Sequence, residues 1–148
     1  MENKGTILLV DDEEEVRGVL AEALKSAGYL VCDAGNYYEA LGVLDWLTHV
    51  DLLIADVSLP GPNGCELALR FLERQPKGRV LFISGYTGAE VCRQYDMKLS
   101  EKEFLPKPLY PKPFVERVDA ILDEKEPSLP TWVKRLGRYG SDAALHRD

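Results

Sequence analysis

Short, uninterrupted apolar runs alternate along the chain with longer stretches in which apolar residues recur every three or four positions. The runs are TILLV (Thr6 to Val10), YLVCDA (Tyr29 to Ala34), DLLIA (Asp51 to Ala55), RVLFIS (Arg79 to Ser84) and the short EFL (Glu103 to Leu105). Runs dense in Val, Ile and Leu, with no polar alternation, predict strands buried on both faces, as in a parallel sheet. Between the first two lies EVRGVLAEALKSAG, which places Val16, Val19, Leu20, Ala23, Leu24 and Ala27 on one helical face before Gly28 ends it. Helical patterns also follow the later strands, in YYEALGVLDWL, ELALRFLERQ, AEVCRQYDM and FVERVDAILDE. Each predicted strand is thus followed by a helix, and the fold class is α/β.

Composition adds little to that picture but excludes some functions. A chain of 148 residues with 45% hydrophobic content suits one globular domain. Its net charge of -7 argues against direct nucleic-acid binding, which needs clustered Lys and Arg to displace counterions from phosphates. The three cysteines, Cys32, Cys65 and Cys92, have no metal-site spacing and are expected to be reduced and mostly buried, Cys65 and Cys92 as helix-packing residues. The opening MENKGT lacks an export signal, so a cytoplasmic location is expected.

The pattern changes after Glu126. Pro127 and Pro130 break the helix, and the segment from there on holds four of the eighteen basic residues but two of the acids. The body, residues 1–125, is therefore strongly acidic, and residues 126–148 read as a mildly basic tail. That tail is either partly disordered or a short helix bearing Trp132, Val133 and Leu136.

Candidate chemistry gathers at the strand ends. The first strand runs into Asp11-Asp12 and the third into Asp56. In an open parallel sheet the ligand crevice lies beyond the carboxyl ends of the strands, so these three acids converge on the functional edge. Taken alone, DDEEE also reads as Asp12 capping a helix whose first turn, Glu13 to Glu15, suits the dipole. Asp56 favours a site instead, because crowded carboxylates repel one another unless a cation neutralises them. Oxygen-only ligands in small number suit Mg²⁺. Ser84, followed by Gly85, brings a hydroxyl to the same edge, and Lys107 brings an ammonium. A hard cation, a hydroxyl and an ammonium around one carboxylate form a site for a transferred phosphoryl group, with Asp56 as the nucleophile. Neither a Walker motif nor a dinucleotide fingerprint is present, so a nucleotide donor is not expected.

With ILLVDDE, LLIADVSLPGPNGCEL, LFISGYT and FLPKPL in this order over roughly residues 5–124, the chain resembles the receiver domains of two-component response regulators. The resemblance implies a flavodoxin-like, doubly wound sheet with strand order 2-1-3-4-5 and helices on both faces. It implies Mg²⁺ held by Asp11, Asp12, Asp56 and the backbone carbonyl of Ser58. It further implies phosphorylation of Asp56, a switch hydroxyl at Ser84, the active-site lysine at Lys107 and a switch aromatic at Phe104. The Lys107-Pro108 bond is expected to be cis, and nearby Lys112 to be a solvated residue leading into the last helix, whose first turn tolerates Pro113.

The implied function is a signalling switch that takes a phosphoryl group from a histidine kinase or phosphotransfer domain and catalyses only its own phosphorylation and dephosphorylation. The face built from the fourth helix, fifth strand and fifth helix would then change its affinity for an output partner, with no contact to nucleic acid or membrane. The SGYTGAEV and FLPKP wording resembles receivers of hybrid sensor kinases, leaving open a phosphorelay intermediate or an excised receiver. Ser58 and Tyr86 occupy positions that tune hydrolysis of the acyl phosphate in this family, and bulky Tyr86 is expected to slow it. Two other classes stay open. A Mg²⁺-dependent phosphatase of the haloacid-dehalogenase type would start an Asp-x-Asp motif where this chain has Asp11-Asp12-Glu13, and an interaction module would keep the fold without the chemistry.

Overall fold

The computed structural model describes residues 3–124. Five strands, β1 (Thr6–Val10), β2 (Leu30–Ala34), β3 (Leu52–Asp56), β4 (Arg79–Ser84) and β5 (Phe104–Pro106), form one parallel sheet in the order 2-1-3-4-5. Five helices connect and flank them: α1 (Glu14–Ser26), α2 (Tyr37–Trp46), α3 (Gly64–Arg74), α4 (Gly88–Gln94) and α5 (Pro111–Asp123). The order expected from the resemblance is the order found. The expected tail, residues 126–148, lies outside the described residues.

The apolar runs are continuous because both faces of the sheet are covered. Successive residues of β1 alternate between two cores: Leu8 and Val10 join Ala40, Phe71 and Phe82 beneath α2 and α3, whereas Ile7 and Leu9 join Leu24, Phe114 and Val118 beneath α1 and α5. Every residue of β1 and β3 is buried, and each large apolar side chain there contributes roughly 1.5–3 kcal/mol relative to exposure. Residues at the strand ends are therefore held on a rigid platform.

Several expectations shift in detail. β2 begins one residue late, while β3 and β5 each start one residue further along than the apolar runs indicate. α4 stops at Gln94, short of the periodic stretch, and Asp96 beyond it takes the left-handed backbone at φ 52°. A 3-10 turn at Glu101–Glu103, unseen in the apolar pattern, leads into β5. α5 starts earlier than FVERVDAILDE, with both Pro111 and Pro113 in its first turn, where a missing N–H loses no helical bond. Lys112 is accordingly inside the helix, and exposed. On α1 the fully buried residues are Leu20, Ala21 and Leu24, with Val16 and Ala27 packed against the same core, whereas Val19, expected on this face, is 55% exposed. Val19 lies at the margin of the helical stripe and lines an open groove on the surface. Of the cysteines, all free, Cys65 alone is fully buried, and Cys32 and Cys92 are half-buried.

Candidate phosphoryl site at the carboxyl edge of the sheet

Strand register sets the site. Val10 pairs with Ala55, so Asp11 and Asp56 leave adjacent strands side by side; Asp56 pairs with Ile83, and Ser84 with Pro106. Backbone bonds from Asp11 N–H to Ala34 O and from Lys107 N–H to Ser84 O extend the ladder to the functional residues, at 3.2 and 2.7 Å. Asp11, Asp56 and Ser84 are buried, at 0%, 3% and 0% exposure.

The loop after β3 is fixed by a close approach. Asn63 caps α3 by accepting from the N–H groups of Cys65 and Glu66. This brings Gly64 so near the end of β3 that an added Cβ would lie 2.3 Å from the Asp56 carbonyl oxygen, a distance no side chain tolerates. Glycine is required here for proximity and not for an unusual φ.

Lys107 is the hub of the charges. Its Nζ donates to Asp56 Oδ2 and to Glu13 Oε1, each at 2.8 Å, and stands 2.9 Å from Asp11 Oδ2. Burial by itself would lower the lysine pKa, but hydrogen bonds to Asp56, Glu13 and Asp11 outweigh it, so the ammonium is held above its ordinary value. The Lys107-Pro108 bond is cis.

The acids exceed what one lysine neutralises. Asp11, Asp12 and Asp56 each offer a carboxylate oxygen, and these lie within 4.8 Å of one another. Burial, above all, raises the Asp11 pKa, against the Glu13 N–H and Lys107, which lower it. Its Oδ1 accepts from the Glu13 N–H at 2.8 Å, but buried Oδ2 has no aligned hydrogen bond. A buried, under-satisfied carboxylate oxygen beside two other acids fits a hard divalent cation, and the all-oxygen donor set fits Mg²⁺. The helix-capping alternative for Asp12 is not what forms: Glu13 is the N-cap of α1, without a side-chain cap bond, and Asp12 is exposed.

Ser58, expected to offer its carbonyl, also turns its side chain to the site. Its N–H and Oγ both donate to Asp56 Oδ1 at 2.9 Å. A serine two residues beyond an aspartate is a known local turn signal, so this contact had a trace in the sequence. The bond from Glu13 to Lys107 spans 94 residues and had none. Ser84 Oγ accepts from the Tyr86 N–H at 3.1 Å, and Tyr86 is 43% exposed. Phe104 is buried, 7% exposed, with its ring against the start of α4 near Gly88. His49 pairs with Asp51 at the opposite edge, exposed and away from this chemistry.

Beyond the acids, an open groove lined by Val16, Val19, Leu20, Pro108 and Leu109 adjoins Glu13 and Lys107. Among the described residues no helix is long and apolar enough to cross a membrane.

Comparison with known proteins agrees with this architecture. The transcriptional regulatory protein CpxR of Escherichia coli K12 is 35% identical over 116 residues, covering 78% of this chain and 48% of CpxR. The sensor kinase CckA of Brucella abortus is 33% identical over 129 residues, covering 85% of this chain and 13% of CckA. The crystal structure of the receiver domain from the hybrid histidine kinase CckA is 36% identical, with a TM-score of 0.62, covering 80% of this chain and 100% of that one. The chain spans about half the length of the CpxR relatives it matches. The family model of the response regulator receiver domain matches residues 7–119, more than half of the chain. The chain therefore belongs to the response regulator receiver domain family of two-component signalling.

Proposed function

We propose that the protein is a phosphorylation-dependent switch in which Asp56 accepts a phosphoryl group from the phosphohistidine of a sensor kinase or phosphotransfer domain. The observation that carries this reading is the buried Asp56 carboxylate, bonded to the Lys107 ammonium at 2.8 Å, with Asp11 and Asp12 beside it. An Asp56 oxygen attacks phosphorus, the P–N bond to the donor imidazole breaks, and the leaving nitrogen takes a proton from solvent. Lys107 then balances charge on the phosphoryl oxygens, and the Ser84 hydroxyl turns from accepting the Tyr86 N–H to donating to one of them. Asp11, Asp12, Asp56 and the Ser58 carbonyl would hold Mg²⁺, which supplies neutralising charge and Lewis acidity when bound. The Ser58 hydroxyl must leave Asp56 Oδ1 if that oxygen is the one modified.

The groove beside Lys107 is continuous with the site, and a donor domain presenting its histidine to Asp56 would cover it. Rearrangement of Ser84 and Phe104 would alter the face formed by α4, β5 and α5, where an output partner would read the state. The chain would catalyse only its own phosphorylation and dephosphorylation, in the cytoplasm and without direct contact to nucleic acid. Receivers in both a transcriptional regulator and a sensor kinase align with it, so a stand-alone regulator, a phosphorelay intermediate and a hybrid-kinase receiver all share this chemistry. Half-exposed Tyr86 would screen the attacking water; a Tyr86→Ala protein that loses its phosphoryl group no faster would remove that role.

The test is intact mass after incubation with acetyl phosphate and Mg²⁺. One labile phosphoryl group is expected, absent in Asp56→Asn and without Mg²⁺. No gain, together with no Mg²⁺ binding, would leave an interaction module; sustained turnover of phosphomonoesters would indicate a phosphatase.

A further inference from the structure

Lys107 is held by an acid that the phosphoacceptor chemistry does not use. Its two aligned hydrogen bonds go to Asp56 Oδ2 and Glu13 Oε1, and Asp11 Oδ2 is the third contact. An ammonium has three N–H donors; two donate to Asp56 and Glu13, and Asp11 Oδ2 stands at 2.9 Å without an aligned bond. A phosphoryl group on Asp56 would bring further acceptor oxygens and up to two negative charges to the same ammonium. Those oxygens compete with the present partners for the ammonium.

The three are not equally releasable. The side chains of Asp11 and Asp56 are 0% and 4% exposed and cannot turn out to water; Asp11 away from Lys107 would need a cation beside it, and Asp56 carries the incoming group. Glu13 is 59% exposed, and water replaces the lost bond. Its main chain would stay in place, because the Glu13 N–H is bonded to Asp11 Oδ1 at 2.8 Å. The side chain can therefore leave Lys107 without disturbing the acid pair.

We propose that Glu13 is a positioning residue that occupies Lys107 in the unphosphorylated protein and is displaced by a phosphoryl oxygen when Asp56 is loaded, which opposes loading. The proposal rests on the phosphoacceptor reading above. Because Glu13 binds the unloaded state better, removing its contact lowers the barrier to occupancy by the amount of that differential affinity.

The experiment titrates the full chain with beryllofluoride, an anion that becomes tetrahedral on a carboxylate oxygen and so stands in for the phosphoryl group, at fixed Mg²⁺, in wild type, Glu13→Gln and Glu13→Asp. Glu13→Gln is expected to bind about three- to fivefold tighter, the scale of one exposed ion pair. Glu13→Asp keeps the charge but is one methylene shorter and reaches Lys107 poorly, so it is expected to tighten as well. Unchanged or weaker binding by Glu13→Gln overturns the proposal. Tighter binding by Glu13→Gln with Glu13→Asp equal to wild type assigns the effect to charge alone and also overturns it. Failure of wild type to take up beryllofluoride refutes the phosphoacceptor reading itself, and the exchange falls with it.

Discussion

The two ends of the parallel sheet both carry acids, but the acids are satisfied in different ways. At the amino edge Asp51 and Asp119 have dedicated donors: Asp51 accepts from the Thr6 N–H at 2.8 Å and from His49 at 2.7 Å, and Asp119 takes the Tyr29 hydroxyl with Lys4 at 3.3 Å. These bonds tie the starts of β1, β2 and β3 to one another and to α5. At the carboxyl edge Asp11, Glu13 and Asp56 share one ammonium, Asp12 stands beside them exposed, and one buried Asp11 oxygen has no aligned bond. Acid content does not separate the two edges. The surplus of negative charge over fixed donors does, and such a surplus is what the proposed cation and phosphoryl site would require.

That contrast predicts opposite consequences for removing an acid at either end. The largest effect is expected at the carboxyl edge: Asp12→Ala should weaken Mg²⁺ binding by at least roughly 10- to 100-fold, the scale known for losing only an outer contact to a metal's ligands. Its denaturation midpoint should hardly move, because an exposed side chain carries little stability. Calorimetric titration of Mg²⁺ beside urea unfolding checks both halves, and a large loss of stability with intact Mg²⁺ affinity would reverse the assignment.

Asp51→Ala should do the converse. It leaves the buried Thr6 N–H without its acceptor, at a cost of about 1–3 kcal/mol in urea unfolding. Uptake of label from acetyl phosphate should be unchanged. If uptake falls while stability holds, the amino edge is not merely a scaffold.

The smallest effect is one of pH. Burial, and then the bond to Asp119, raise the Tyr29 pKa above its ordinary 10.0. Above that value the unfolded chain loses a proton that the folded one keeps, so stability falls as pH rises from there toward the higher folded value. Tyr29→Phe should flatten this alkaline limb while losing the hydroxyl bond at neutral pH. Urea midpoints measured on either side of pH 10 for both proteins will test it; parallel slopes would mean that Tyr29 ionises freely in the fold.

How much of this was legible beforehand depends on the range over which each feature is decided. TILLV, DLLIA and RVLFIS announced strands buried on both faces, and the polar residue ending each run marked the functional edge. The strand order came from the family resemblance and not from periodicity. Lys107 was separated from Lys112 by its motif; the structure places Lys107 among the acids and Lys112 exposed on α5. The α1 stripe was misjudged at Val19, because periodicity fixes a helical face only to within a residue or two and the neighbours fix the rest.

By itself, then, the sequence determined the α/β class, the strands and helices to within a few residues, and the edge at which Asp11, Asp12, Asp56, Ser84 and Lys107 meet. These follow from side-chain period and from the rule that parallel strands end at one edge. Only the tertiary structure decided that Glu13, read as a helix-dipole acid, would bind a lysine 94 residues away, and that Gly64 would lie against the Asp56 carbonyl. It also decided which acids have dedicated donors and which share one ammonium. The physical reason is range: hydrophobic burial is written in local periodicity, whereas a hydrogen bond exists only where two distant segments are brought within about 3 Å by the packing of everything between them.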